Sequence, residues 1–184
     1  PYNAGSRIPR VDEGVREGDH VKIGKTVDLE VIETPGHTPI HISLFGHNDE
    51  PHLLCGDTVF NAGVGHCHTG DPNVLYATVR DKIAKMPDGT RIYPGHDYIS
   101  NNLQFTLDRE PDNADAKALL ADVEGQDPDA ALVTTLGTER KVNTFMRLDS
   151  AGVVAGIKEK FPDLPDTPSD EDIFLSLRLL RNDW

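Results

Sequence analysis

The chain has 184 residues, with 31 acidic against 18 basic side chains and a net charge of −13, which argues against non-specific nucleic-acid binding and against anionic membranes. No apolar run reaches the ~18 residues of a membrane-spanning helix, and the two cysteines, Cys55 and Cys67, form no CxxC pair, which fits a reducing cytoplasm better than a disulfide scaffold. The opening Pro1-Tyr2-Asn3-Ala4-Gly5-Ser6 has neither an initiator Met nor an apolar signal region, so a processed, cut or partial chain is expected.

In chain order, residues 1–10 are polar and read as a loop or frayed end. Turn signals at Gly18-Asp19 and Gly24-Lys25 flank the apolar Val21 and Ile23, and predict a β-hairpin within 11–25. Strands are predicted at 27–34, 41–46 and 51–55, the last two joined by the turn Gly46-His47-Asn48-Asp49. Residues 63–71 read as a glycine-rich loop. Val74, Leu75, Val79, Ile83 and Met86 then share a helix face over 72–86, with Asp71 as N-cap and Pro72 in the first turn. A turn at 87–90 leads to a last strand at 91–94. From there the pattern is helical, at 101–110, 114–124, 150–161 and 169–181, with a linker at 125–130 and a capping box between Ser169 and Asp172. The division expected is a mixed α/β part over 1–100 and a helical part over 101–184.

Three strand ends carry the chemistry. Thr34-Pro35-Gly36-His37-Thr38, Cys55-Gly56-Asp57-Thr58 and Tyr93-Pro94-Gly95-His96-Asp97-Tyr98 each place an acid or imidazole beside a glycine just after an apolar run. Glycine permits a sharp turn where a strand ends, and side chains just past such turns sit at the sheet rim, where sites form. Two imidazoles and a carboxylate at three strand ends can converge on one metal centre. His41 is expected to make a structural hydrogen bond, while His20, His47 and His52 read as surface or turn residues.

These motifs resemble the second half of a metallo-β-lactamase-fold hydrolase, nearest to glyoxalase II (hydroxyacylglutathione hydrolase), over roughly residues 21–184. Tyr98 to Phe105 (YISNNLQF) resembles the family's Y-x-x-N-N-L-x-F segment. Lys141 to Arg147 (KVNTFMR) resembles its K-x-x-N-P-F-x-R segment, with Thr144 in place of proline. The fold implied is the second half of an αββα sandwich followed by a C-terminal α-helical domain. The metal ligands implied are His37 for the first metal, Asp57 as the bridge and catalytic carboxylate, and His96 for the second. The metal implied is zinc, though such donors also accept iron or manganese. The reaction implied is hydrolysis of an acyl-glutathione thioester to glutathione and a hydroxy acid. Tyr98, Lys141, Asn143 and Arg147 are the implied substrate contacts, with Arg140 and Lys158 adding to a positive patch for anionic glutathione.

Two departures qualify the resemblance. The family's T-H-x-H-x-D-H motif, source of the remaining ligands, is absent from these 184 residues. His66-Cys67-His68 has the wrong continuation and follows the Gly56-Asp57-Thr58 segment instead of preceding it. Three ligands spread over two sites leave each metal short of donors, so weak metal binding, or none, is expected. An incomplete sandwich would also leave an apolar sheet face, to be covered by a companion half or a second copy of the chain. Second, His66 and His68 stand where many family members carry Lys and Tyr against glutathione. They are therefore candidate substrate contacts, against the alternatives of a plain exposed loop or a metal site made with Cys67. The competing functions are a non-catalytic glutathione-binding or assembly module, and a persulfide dioxygenase-like sister enzyme, against which the helical tail argues.

Overall fold

The computed structural model describes residues 12–127 and 131–184. The loop expected over 1–10 and the last part of the 125–130 linker lie outside the described residues. Strand β1 (His20–Ile23) turns back into β2 (Val27–Glu33), and β3 (Ile42–Gly46) and β4 (His52–Gly56) extend the antiparallel meander. A two-residue-stranded hairpin follows, β5 (Val59–Phe60) and β6 (Gly63–Val64). Helix α1 (Pro72–Asp81) then crosses over, so that β7 (Arg91–Pro94) pairs parallel to β4. The five-stranded sheet has the order β1-β2-β3-β4-β7.

The helices obey their caps. Asp71 accepts a hydrogen bond from the Asn73 amide at 2.8 Å, with Pro72 at the first helical position, where a missing N–H costs nothing. The predicted helix over 72–86 proves to be two elements: α1 stops at Asp81, and Ile83–Lys85 is a separate 3₁₀ turn. Helices α2 (Ile99–Arg109) and α3 (Ala114–Glu124) break at Pro111-Asp112 as expected. Helix α4 (Leu136–Val142) was not predicted; it is short, carries Gly137 and ends on a β-branched residue, so its local signal is weak. Helices α5 (Ala151–Lys160) and α6 (Asp170–Asn182) complete the chain, and Ser169 and Asp172 form the expected capping box. Among the described residues no helix is long and apolar enough to cross a membrane.

One sheet face carries Ile32, Phe45, Leu53, Cys55 and Ile92, which pack with Leu75, Val79 and Ile83 of the crossover. The same cluster takes in Leu136, Phe145, Val153, Phe174 and Leu177, so the late helices cover this face too. A second cluster joins Ala62 of the β5–β6 turn to Ile99, Leu103, Ala116, Val123 and Val142. On the other sheet face Leu54 lies in register with Leu44 and Tyr93, and Ile42, Leu54 and Tyr93 are 37%, 40% and 39% exposed. Half-buried His52 and exposed Arg91 interrupt them, so this face gives the expected pairing of two copies no support.

Candidate metal centre

The loop after β2 is pinned before it reaches His37. Gly36 sits at φ 142°, and a Cβ there would lie 2.5 Å from the Leu75 Cα. Its carbonyl accepts from the Asp71 amide at 3.1 Å, and the Pro35 carbonyl accepts from the Thr78 hydroxyl at 2.7 Å. The His37 imidazole is thus delivered from the seam between β2 and α1. From Nδ1 it donates to the His66 carbonyl at 2.6 Å, which leaves Nε2 facing outward, the orientation that an outer-shell carbonyl gives a metal-ligating histidine.

Asp57 follows β4. Its amide donates to His41 Nε2 at 3.1 Å. That nitrogen being an acceptor, the proton of His41 lies on Nδ1, 2.9 Å from both the Thr34 and Thr58 hydroxyls. Burial, aided by the nearby His37, holds His41 below the usual imidazole range, which keeps the ring neutral in this role. The structural hydrogen bond expected of His41 is therefore present, and it fixes the backbone of Asp57.

The turn carrying His96 lies against the one carrying Asp57. The Gly95 amide donates to the Gly56 carbonyl at 2.9 Å, and a Cβ on Gly95 would come within 2.5 Å of Asp57 Oδ1, so a side chain there would displace the Asp57 carboxylate. The structure brings the three strand-end residues together, with His37 Nε2 3.5 Å from Asp57 Oδ2 and His96 Nε2 3.7 Å from Asp57 Oδ1. A protonated imidazole at such a distance makes a loose ion pair with the carboxylate, and a ring that turns its lone pair there needs a cation between the two. Two ligands held by one tetrahedral ion at about 2.1 Å stand roughly 3.4 Å apart, so the His37–Asp57 spacing fits a shared ion and the His96–Asp57 spacing is slightly wider. Among the described residues no group of three or more His, Cys, Asp or Glu surrounds a single point. His37 and His96 each face Asp57, from its two sides.

Beside the centre lies a cavity of about 330 Å³ whose wall includes Phe60, His66, His68, Tyr98, Arg178 and Arg181. Tyr98 stacks on His96, with ring centroids 5.3 Å apart, and meets Phe60 edge-on at 5.1 Å. His66 and His68 stack on each other at 3.5 Å. Burial first, then His68, holds His66 below its usual range, and its buried Nδ1 has no partner among the described residues. Arg178 and Arg181, absent from the sequence expectations, reach the cavity from α6. Arg178 is buried and donates from Nη1 to the Val64 and Gly65 carbonyls, both at 3.1 Å; burial pulls its guanidinium down to about 10. The signal was their three-residue spacing on a helix whose leucines read as core.

The other expected contacts lie away from this wall. Asn143 is fully buried, its amide donating to Gly63 O at 3.1 Å and Glu139 Oε2 at 2.9 Å. Arg147 grips Glu110 through Nε at 2.8 Å and Nη2 at 2.9 Å. Lys141 is exposed, and its carbonyl accepts from Asn113 Nδ2 at 2.9 Å. Arg140 is committed to Asp88 and to the Ala84 and Met86 carbonyls.

Comparison with known proteins identifies the family. Residues 4–96 match the metallo-beta-lactamase superfamily, and residues 97–184 match the hydroxyacylglutathione hydrolase C-terminus. A hydroxyacylglutathione hydrolase of Polaromonas sp. is 56% identical across the whole chain, which spans 70% of that relative's length. One of Nitrosococcus oceani is 54% identical with the same coverage. Among solved structures, ETHE1 from Myxococcus xanthus shares the fold, with a TM-score of 0.54 at 22% identity over 94% of this chain and 61% of its own. With relatives this similar along its entire length, the chain belongs to the hydroxyacylglutathione hydrolase family, within the metallo-beta-lactamase superfamily.

Proposed function

We propose that this chain contributes the metal-bridging and substrate-facing parts of a metal-dependent thioester hydrolase, which splits an acyl-glutathione into glutathione and a hydroxy acid. The observation that carries the reading is the Asp57 carboxylate set between two imidazole Nε2 atoms, one of them with its tautomer fixed from behind. His37 and Asp57 would hold one divalent cation, and Asp57 and His96 a second; zinc is our choice. Bound there, such ions polarise the thioester carbonyl and lower the pKa of a water. His37 and His96 would each offer a ring nitrogen to an ion, and the Asp57 carboxylate would lie between the two.

Substrate binding falls to the adjoining cavity. Arg181 offers charge to the carboxylates of the glutathione peptide, and Tyr98, His66 and His68 offer hydrogen bonds and flat surfaces. Arg178, in that wall, and Asn143, behind it, hold the backbone at Val64, Gly65 and Gly63, whereas Arg147 is paired with Glu110 away from the cavity. Two free thiols, Cys55 and Cys67, support a cytoplasmic setting.

The deciding experiment follows thiol release from S-lactoylglutathione by the zinc-loaded chain and by Asp57→Asn. Zinc-dependent release that disappears in the variant supports the reading, and equal release by both refutes it. The incomplete donor set favours one second reading, glutathione binding without turnover. Calorimetric heat from glutathione with no thiol release from the thioester would select it.

A further inference from the structure

Glu139, on α4, has no exposed surface, and three donors converge on its carboxylate. The Ala62 amide reaches Oε2 at 2.8 Å, Asn143 Nδ2 reaches the same oxygen at 2.9 Å, and the Thr134 hydroxyl reaches Oε1 at 2.6 Å. Asn61 Nδ2 donates to that hydroxyl oxygen at 2.7 Å, which directs the Thr134 proton towards Glu139. Asn61 and Ala62 are the turn between β5 and β6, and Ala62 holds the left-handed φ of 59°, a conformation that a non-glycine residue keeps only when its surroundings impose it. The buried carboxylate on the Ala62 amide is such an imposition. Asn102 Nδ2 secures the Asn61 carbonyl at 2.9 Å, and Asn143 Nδ2 the Gly63 carbonyl at 3.1 Å.

The far side of this hairpin is the wall of the metal centre. Phe60 packs on Tyr98 and, at 6.2 Å, on His96. Past β6, the Gly65 amide returns to the Thr58 carbonyl at 3.1 Å, and the next residue supplies the carbonyl that fixes the His37 tautomer. Glu139 touches neither His37 nor His96, yet it holds the turn from which their surroundings hang.

We propose that Glu139 is a positioning residue for the metal centre: it locks the Asn61–Ala62 turn and, through Phe60, sets the geometry of the His96–Tyr98 ring pair. The role given to His96 rests on the hydrolase reading above, whereas the ring geometry does not. The test compares Glu139→Ala, Glu139→Gln and a core control, Ile157→Ala, by NMR of the His96, Tyr98 and Phe60 ring signals and by zinc titration. In E139A the His96 and Tyr98 rings shift and zinc affinity falls by less than the ~10–100-fold lost with a partner bonded directly to a ligand. In E139Q one oxygen still accepts from Ala62 and the amide donates to the Thr134 oxygen, so the ring signals stay near wild type. I157A lowers the melting temperature and leaves the rings in place. If E139A does not fold, Glu139→Asp, which withdraws the carboxylate from Ala62, gives the same ring shifts. Unshifted rings in E139A or E139D, equal shifts in I157A, or an E139Q spectrum like that of E139A would each overturn the proposal. A wild-type chain that takes up no zinc overturns the metal reading alone, and the ring shifts still decide Glu139.

Discussion

His41 shows how a residue behind the candidate site can position it. Its Nε2 receives the Asp57 amide while two threonine hydroxyls hold Nδ1, so removal frees the backbone of Asp57. His41→Ala is expected to weaken zinc binding by about 10–100-fold, as outer-shell deletions do, which a competition titration with a chromogenic chelator would measure. Glu139 makes a second prediction, in pH. Burial lifts its carboxyl from 4.5 to about 7, against the hydrogen bonds from Thr134, Asn143 and Ala62. A carboxyl raised on folding contributes stability that is complete below its unfolded pKa and is lost as pH climbs through the folded one. Its titratable neighbour Cys55, pushed by burial up to about 12, stays neutral across that window. The melting temperature of E139Q should therefore gain on wild type between pH 4.5 and 7, and the difference should level off above; a constant difference would contradict the assignment.

At the scale of elements, the end caps are the most transparent feature. The Ser169–Asp172 box closes the first turn of α6, and Ser169→Ala should cost about 1 kcal/mol. For a chain of this size that is a drop of roughly 2–4 °C in melting temperature, readable by calorimetry. The strand ends bearing His37, Asp57 and His96 were legible because glycine, an apolar run and a ligand-type side chain coincide at each. The β5–β6 hairpin and α4 were not. Two-residue strands have no periodicity to detect, and α4 is held by tertiary bonds through Glu139 and Asn143 more than by its own propensity. For the same reason Asn143 and Arg147, matched by motif, were expected at the substrate, whereas burial and Glu110 commit them to the scaffold. Arg178 and Arg181 are not legible in the sequence because a helix face cannot be assigned to a cavity before its packing is known.

Across the whole molecule, the first apolar cluster runs from the sheet through α1 into α5 and α6. Phe174 is fully buried between Tyr76 and Phe145. Phe174→Ala should therefore cost about 3–5 kcal/mol and should loosen strands as well as helices. Amide exchange at Leu53 and Ile92, speeded along with exchange in α6, is the expected signature; acceleration confined to α6 would mean that the two regions open separately.

The parallel pairing of β4 with β7 sets an order of events. A hairpin can zip from its turn, but these two strands meet only after the crossover has been made and docked, and such long-range closure is slow. Asp57 and His96 sit at the ends of that pair, so their meeting is expected late in folding. A refolding chain followed by a zinc-sensitive probe should show its ligand signal rising after the bulk of its helical signal, on the timescale of final consolidation.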